Sequence, residues 1–364
     1  MRITLIGLGL IGGSIASAAK NHYADRVEIV GYDTDENQSA AALAAGAIDH
    51  IAESEQEAVA EADLVIVATP ISTLATVFRL ITGKIPDDAI VTDVASVKSP
   101  VQELARNILG PQVRFVGGHP MAGSEFSGFE AADPYLFENA AWALCSDETP
   151  STFEKHHSLL IEFVQSLGAR ILVLPADEHD KLAARTSHLP QLLAVNLMNV
   201  ATSNSSDSFG DLAAGGFRDM TRIASSSYGI WSDILAANHS NILDALAEFA
   251  AAIQTTRNRI IREDYEDIEA MFAEAAEGRE NIPASGKGFL YPLADLYVGL
   301  IDEPGALRKL TSTLFEADIN IKDLELLKLR EGTGGTFRVS FDTQDQADKA
   351  KDLLTDIGYS VRDM

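Results

Sequence analysis

Short apolar runs recur at close intervals through the first half of the chain: Ile3–Ile6, Val27–Tyr32, Leu64–Ala68, Ala89–Thr92, Val113–Val116, Ala141–Leu144 and Ile171–Leu174. Most are continuous rather than alternating, the pattern of strands covered on both faces. Helical patterns such as Asp35–Ala45 and Ser99–Leu109 follow them. The alternation predicts an α/β fold with a doubly wound parallel sheet, closing near Pro175. From Asp177 to Gly278 strand-like runs vanish, and apolar residues fall at helical spacing in Leu189–Val200 and Ile242–Ile261. Helices apolar around much of their circumference must be buried in a large core or against another subunit. An all-helical domain that builds a homodimer is therefore expected.

Two prolines and two glycines around Ser285 and Lys287 mark a linker. Beyond it the pattern is strand (Ala294–Ile301), helix (Gly305–Ala317), strand (Ile319–Leu329), strand (Thr336–Asp342), helix (Asp345–Ile357) and strand (Tyr359–Arg362). That is βαββαβ, the ferredoxin-like arrangement. The expected organisation is thus 1–175 for the sheet domain, 176–280 for the helical domain, 281–292 for the linker and 293–364 for a separate C-terminal unit.

Composition narrows the function. A formal charge of −26 over 364 residues argues against nucleic acid, whose phosphates need a basic surface. An anionic ligand would have to be held by a few placed arginines and helix N-termini. No run approaches the roughly 20 apolar residues that a bilayer demands, and the N-terminus lacks the features of a signal peptide. The one cysteine, Cys145, cannot form an intramolecular disulfide and fits a reducing cytoplasm. No metal site is expected.

Gly7-Leu8-Gly9-Leu10-Ile11-Gly12 follows the first strand and opens a helix. Gly7 suits the tight turn, Gly9 the approach of a pyrophosphate, and Gly12 close helix–strand packing. Asp33, at the end of the second strand, is placed to accept hydrogen bonds from ribose hydroxyls and to repel a 2′-phosphate, which favours NAD over NADP. The other reading of Asp33 is a turn residue before Thr34-Asp35. Thr69 and Pro70, at the end of a further strand, belong to the same carboxyl edge, where dinucleotides bind.

Three further motifs stand out: Asp93-Val94-Ala95-Ser96-Val97-Lys98, Gly117-Gly118-His119-Pro120-Met121-Ala122-Gly123-Ser124-Glu125, and Gly215-Gly216-Phe217-Arg218-Asp219-Met220-Thr221-Arg222. The first lies at a strand end and the second just past one, in the expected crevice. His119 is the candidate acid–base group, since imidazole changes protonation near neutral pH. Ser96 either orients the histidine or the substrate hydroxyl, or caps a helix near Ser99. Arg222 offers a planar fork suited to a carboxylate.

On these motifs, with Thr186-Ser187-His188-Leu189-Pro190-Gln191, the chain resembles the prephenate/arogenate dehydrogenase family, in the form with a C-terminal ACT domain. The resemblance spans nearly the whole chain and implies a Rossmann-type domain, a helical dimerisation domain and an ACT regulatory unit. It implies that His119 accepts the proton of the ring 4-hydroxyl while hydride passes from the same carbon to NAD. Loss of the ring carboxylate as CO₂ then gives 4-hydroxyphenylpyruvate, on the way to tyrosine. Ser96 would support the hydroxyl and His119, Arg222 would bind a substrate carboxylate, and Ser187 and His188 match positions near the substrate. Gln191 stands where some members carry a second histidine, which bears on prephenate against arogenate and leaves a dual-specificity cyclohexadienyl dehydrogenase as the alternative. Asp302, Pro304 and Gly305 form the ACT-like strand–helix junction, where an amino-acid effector would bind.

Two rivals are weaker. A β-hydroxyacid dehydrogenase needs a catalytic lysine on a glycine-rich helix, and Lys181 lies away from any glycine cluster. A non-catalytic amino-acid sensor leaves the intact glycines, Asp33 and His119 without purpose.

Overall fold

The computed structural model describes residues 1–123, 126–203, 208–281, 293–330 and 334–363. It divides into two compact units, Met1–Glu274 and Ala275–Met364. The expected linker lies almost wholly outside the described residues, as do Ser124 and Glu125.

The first unit is built on strands β1 (Arg2–Ile6), β2 (Glu28–Tyr32), β3 (His50–Ile51), β4 (Leu64–Val67), β5 (Ile90–Asp93), β6 (Arg114–Pro120), β7 (Ala141–Cys145) and β8 (Arg170–Leu174). Their order is β3-β2-β1-β4-β5-β6-β7-β8, the doubly wound plan whose direction reverses beside β1. Alternate residues of the central strands feed opposite cores. Ile3, Leu5, Leu64 and Ile66 join one cluster with Trp142 and Phe163. Ile6, Val65, Val67 and Val91 join the other with Phe78. This two-sided burial is why the strands read as unbroken apolar runs. Each such side chain stabilises the sheet by about 1.5–3 kcal/mol.

Three features differ from expectation. The sheet is not wholly parallel, because β6 and β7 pair antiparallel, with Gly117 opposite Cys145 and His119 opposite Ala143. That pairing prolongs β6 to Pro120, so His119 lies inside a strand rather than just past one. Glycine and proline are poor strand formers, and the partner strand overrides them. Finally, β3 is a two-residue exposed strand with no apolar pattern to announce it.

The helical half runs from Ala176–Ala183 through a π-helical turn, Ala184–His188, into Leu189–Thr202. It continues with Gly215–Thr221, a 3₁₀ turn Arg222–Ser225, and helices Tyr228–Ala237 and His239–Arg262. Its small core holds Val97, Ala184, Ile234, Ile242 and Ala245. On the longest helix Leu243, Ile253, Ile260 and Ile261 remain more than half exposed. No helix among the described residues is long and apolar enough to cross a membrane.

The second unit pairs β9 (Ala294–Leu300), β10 (Asp323–Arg330), β11 (Gly334–Phe341) and β12 (Ser360–Arg362) in the antiparallel order β10-β11-β9-β12. Helices Ala306–Glu316 and Gln344–Asp356 complete the βαββαβ pattern read from the sequence. Leu296, Val298, Leu310, Phe341 and Leu354 form its own core.

Candidate active site

At the carboxyl ends of β1, β2 and β4 the glycine turn has the form a nucleotide needs. Gly7 adopts φ +97°, and a Cβ there would stand 2.5 Å from the Ala68 carbonyl oxygen. Helix Leu10–Tyr23, which carries Leu10, Ile11 and Gly12, begins at this turn with no side-chain cap on its first N–H groups. Nothing lies within 4 Å of a Cβ placed on Gly9, which leaves open space at the helix N-terminus. The Asp33 carboxylate is fixed at the end of β2, accepting from the Leu8 N–H at 2.7 Å and the Asp35 N–H at 2.9 Å. After β4, the Thr69 hydroxyl is buried with no hydrogen-bond partner among the described residues, and exposed Pro70 opens the next turn. An uncapped helix start, open space at Gly9 and an orphaned hydroxyl suit a dinucleotide along this edge.

His119 sits farther along the sheet. Gly118 is required beside it, because a Cβ there would meet the Asp93 carbonyl oxygen at 2.5 Å. Asp93 and Lys98, both fully buried, pair with each other. Lys98 Nζ also donates to the Gly118 carbonyl at 2.6 Å, and the Gly118 N–H donates to Asp93 at 3.1 Å. The backbone next to His119 is thereby locked to the end of β5. His119 Nδ1 lies 2.8 Å from His179 Nε2, and His179 Nδ1 lies 2.8 Å from Asp180 Oδ1. Asp180 in turn receives the backbone N–H groups of Lys98 (2.7 Å) and Ser99 (2.8 Å). It thus caps helix Ser99–Ile108, which has no side-chain cap of its own at Lys98.

Electrostatics follow from this packing. Burial, then the charges of His179, Lys98 and His188, hold His119 well below its ordinary value of 6.5. Burial works against the Asp180 carboxylate, but hydrogen bonds from His179, Lys98 and Ser99 outweigh it and lower its pKa. A neutral imidazole near a fixed anion is a base ready to take a proton.

The helical half adds His188 and Gln191. Asn238 Nδ2 donates to the Asp180 carbonyl at 2.8 Å and lies 3.2 Å from His188 Nδ1. Asn241 donates to Asn238 Oδ1, which fixes the amide's orientation. His188 Nδ1 is therefore the acceptor, and its proton sits on Nε2, a buried donor without a partner among the described residues. Burial pulls His188 down to about 4, against the opposing pull of Asp180. Gln191 is buried and donates to the Ile223 carbonyl at 2.9 Å, tying its helix to the turn that begins at Arg222. Ser187 lies in the π-helical turn before His188, half-buried. Ser96 is half-buried in the loop after β5 and caps nothing. The hydrogen-bond partner of His119 is His179, not Ser96. Arg222 is exposed, and its guanidinium makes no ion pair among the described residues.

Known proteins resemble this chain in sequence and fold. Residues 15–173 match the family described as prephenate dehydrogenase, nucleotide-binding domain, and residues 175–274 match its dimerization domain. The chain belongs to the prephenate dehydrogenase family. It is 37% identical to the prephenate dehydrogenase of Bacillus subtilis over 97% of this chain and 95% of that one. It is 33% identical to the cyclohexadienyl dehydrogenase of Zymomonas mobilis over 76% of this chain and 94% of that one. The solved prephenate dehydrogenase of A. aeolicus, in complex with hydroxyphenyl propionate and NAD+, superposes with a TM-score of 0.70 at 29% identity. That match covers 78% of this chain and 98% of the A. aeolicus chain.

Within this prephenate dehydrogenase family member, the sequence reading missed His179, Asp180 and Asn238 as site residues. A signal was present. Ala176, His179, Asp180 and Ala183 are the buried positions of one helix, spaced i, i+3, i+4, i+7, which is a core-facing stripe with polar members. In the C-terminal unit a cavity of about 330 Å³ is lined by Asp302, Gly305, Arg308 and Phe337, among others. Pro304 does not start the helix there. It stands on an exposed turn before Gly305, which caps the helix at φ +95°.

Proposed function

We propose that this chain oxidatively decarboxylates prephenate to 4-hydroxyphenylpyruvate in tyrosine biosynthesis, with NAD as oxidant. The observation that carries the reading is a buried His119, backed by His179 and Asp180, on the same sheet edge as a glycine-turn nucleotide site. His119 takes the proton of the ring 4-hydroxyl as general base, a role worth about 10²–10⁴-fold in rate. Bound NAD supplies the nicotinamide that accepts the hydride from the same ring carbon. The ring carboxylate leaves as CO₂, the electron pair of its bond to the ring completes the aromatic system as a phenolate, and the proton taken by His119 returns to that oxygen.

Gly7, Gly9, Leu10, Ile11, Gly12, Asp33, Thr69 and Pro70 hold the dinucleotide, with Asp33 reading the ribose hydroxyls. Ser96 supports the hydroxyl, His188 donates its Nε2–H to a substrate oxygen, and Arg222 binds a carboxylate. Ser187 and Gln191 complete the wall. Residues 1–175 and 176–280 form the catalytic core, which works as a cytoplasmic homodimer whose apolar helix faces cover one another. Residues 293–364, joined by a linker at 281–292, form an ACT-like unit that takes an amino-acid effector near Asp302, Pro304 and Gly305.

The test is to follow the absorbance of reduced nicotinamide with purified protein, NAD and either prephenate or arogenate. Formation of NADH and 4-hydroxyphenylpyruvate from prephenate supports the reading, and no turnover of either substrate overturns it. Gln191 favours one second reading, since its amide is occupied by a backbone carbonyl. A kcat/KM for arogenate equal to or above that for prephenate would make the enzyme an arogenate or dual-specificity cyclohexadienyl dehydrogenase.

A further inference from the structure

We infer that His179 and Asp180 act as positioning residues that fix the tautomer of His119, so that its Nε2 meets the substrate as a bare lone pair. The inference rests on the proposed role of His119 as the base. Asp180 lies against donors on every side: the N–H groups of Lys98 and Ser99 at 2.7 and 2.8 Å, and His179 Nδ1 at 2.8 Å. A carboxylate surrounded in this way is ionised and accepts only, so His179 carries its proton on Nδ1. The other nitrogen of a neutral His179, Nε2, then holds a lone pair. That nitrogen stands 2.8 Å from His119 Nδ1, and two lone pairs cannot face each other at that distance. His119 Nδ1 therefore donates, and its Nε2 is unprotonated.

The same chain serves the next moment of the reaction. When Nε2 accepts the hydroxyl proton, His119 becomes an imidazolium, and its Nδ1–H points at the His179 acceptor with the Asp180 charge behind it. The other charged or titratable groups facing His119 are Lys98 and His188. Lys98 is neutralised by Asp93, and His188 Nδ1 is held by Asn238. The arrangement parallels any triad in which a buried carboxylate selects the useful tautomer of a catalytic imidazole, here through an intervening second imidazole.

The alternative is an imidazolium at His179 that donates from both nitrogens, which would leave His119 with Nε2–H and unable to act as a base. Proton-detected ¹⁵N spectra of the full-length protein labelled at histidine, assigned by comparison with His119→Asn, separate the two. Above neutral pH the expected result is a proton on His119 Nδ1 and none on Nε2. A protonated Nε2 on His119 overturns the inference, whether or not the enzyme turns over prephenate. If the tautomer is as expected and no substrate reacts, the proposed function fails instead.

Kinetics give a second readout. His179→Phe removes the acceptor and should lower kcat by about 10²-fold or more with KM within about twofold. His179→Gln can return an acceptor oxygen and should recover part of that loss. A kcat within twofold of wild type in both variants, under conditions where chemistry limits the rate, refutes the positioning role.

Discussion

The base we propose at His119 must be unprotonated before it can accept a proton, and its surroundings favour that form. Its pKa is lowered first by burial and then by His179, Lys98 and His188, so the neutral form persists to pH values below 6.5. We therefore expect kcat/KM to stay level from pH 8 to 6.5 and to fall only below that. His119→Asn should leave NAD binding intact and lower kcat by about 10²–10⁴-fold, read in steady-state assays with a NAD titration. Near-wild-type turnover by this variant would remove His119 from the mechanism. His188 makes a separate statement about stability. Its folded value of about 4 lies below the unfolded value of about 6.5. The unfolded chain thus binds a proton that the native state refuses. The contribution is present above pH 6.5 and is lost as pH falls through 4, amounting to about 3 kcal/mol in all. Urea unfolding at pH 7.5 and 4.5 should show a larger drop for wild type than for His188→Asn. Equal drops would mean that His188 does not titrate differently in the two states.

At the scale of elements, the end of β6 that carries His119 is held by ties between pieces distant in sequence. Lys98 and Asp93 join the end of β5 to β6, and Asp180 joins the helical half to the start of Ser99–Ile108. Lys98→Met should leave the Asp93 charge buried without its cation and cost about 3–5 kcal/mol. A loss under about 1 kcal/mol by denaturant unfolding would mean that the backbone N–H groups of Ala95 and Gly118 satisfy Asp93 alone. Such ties also explain what could be read in advance. Strands β1, β4 and β5 were legible because burial on both faces leaves a nearly continuous apolar run, broken only by residues such as Thr4 and Thr92. The last residues of β6 were not, since their strand geometry comes from β7 and not from Gly117, Gly118 or Pro120 themselves. His119 announced itself through its motif. Its partner His179 did not, because Asp177, Glu178 and Lys181 make the surrounding segment look like a solvated turn of helix. The π-helical turn that carries Ser187 and His188 has no composition of its own, and packing alone selects it.

For the whole molecule, a net charge of −26 surrounds a reaction whose substrate and cofactor are both anions. Binding must therefore be local, through helix N-termini and placed side chains, and the general field favours neither ligand. The C-terminal unit is where we propose that an amino-acid effector binds. Its cavity of about 330 Å³ is lined by Arg308, suited to a carboxylate, by Asp302, suited to an ammonium group, and by Phe337. An amino acid with an aromatic side chain matches that set, and tyrosine is the end product of the proposed pathway. For such a ligand to inhibit, it must bind a less active state more tightly than the active one. The competing account is that tyrosine, whose phenol resembles the aromatised product, enters the active site beside His119. A chain ending at Asn281 decides between them. That chain should fold, because the A. aeolicus and Z. mobilis proteins align over 98% and 94% of their own lengths with only 78% and 76% of this one. If the C-terminal unit is the sensor, the truncated enzyme turns over prephenate and no longer responds to tyrosine, while the full chain does. Inhibition of both forms with the same strength, competitive with prephenate, would locate tyrosine at the active site and end the case for control by the C-terminal unit.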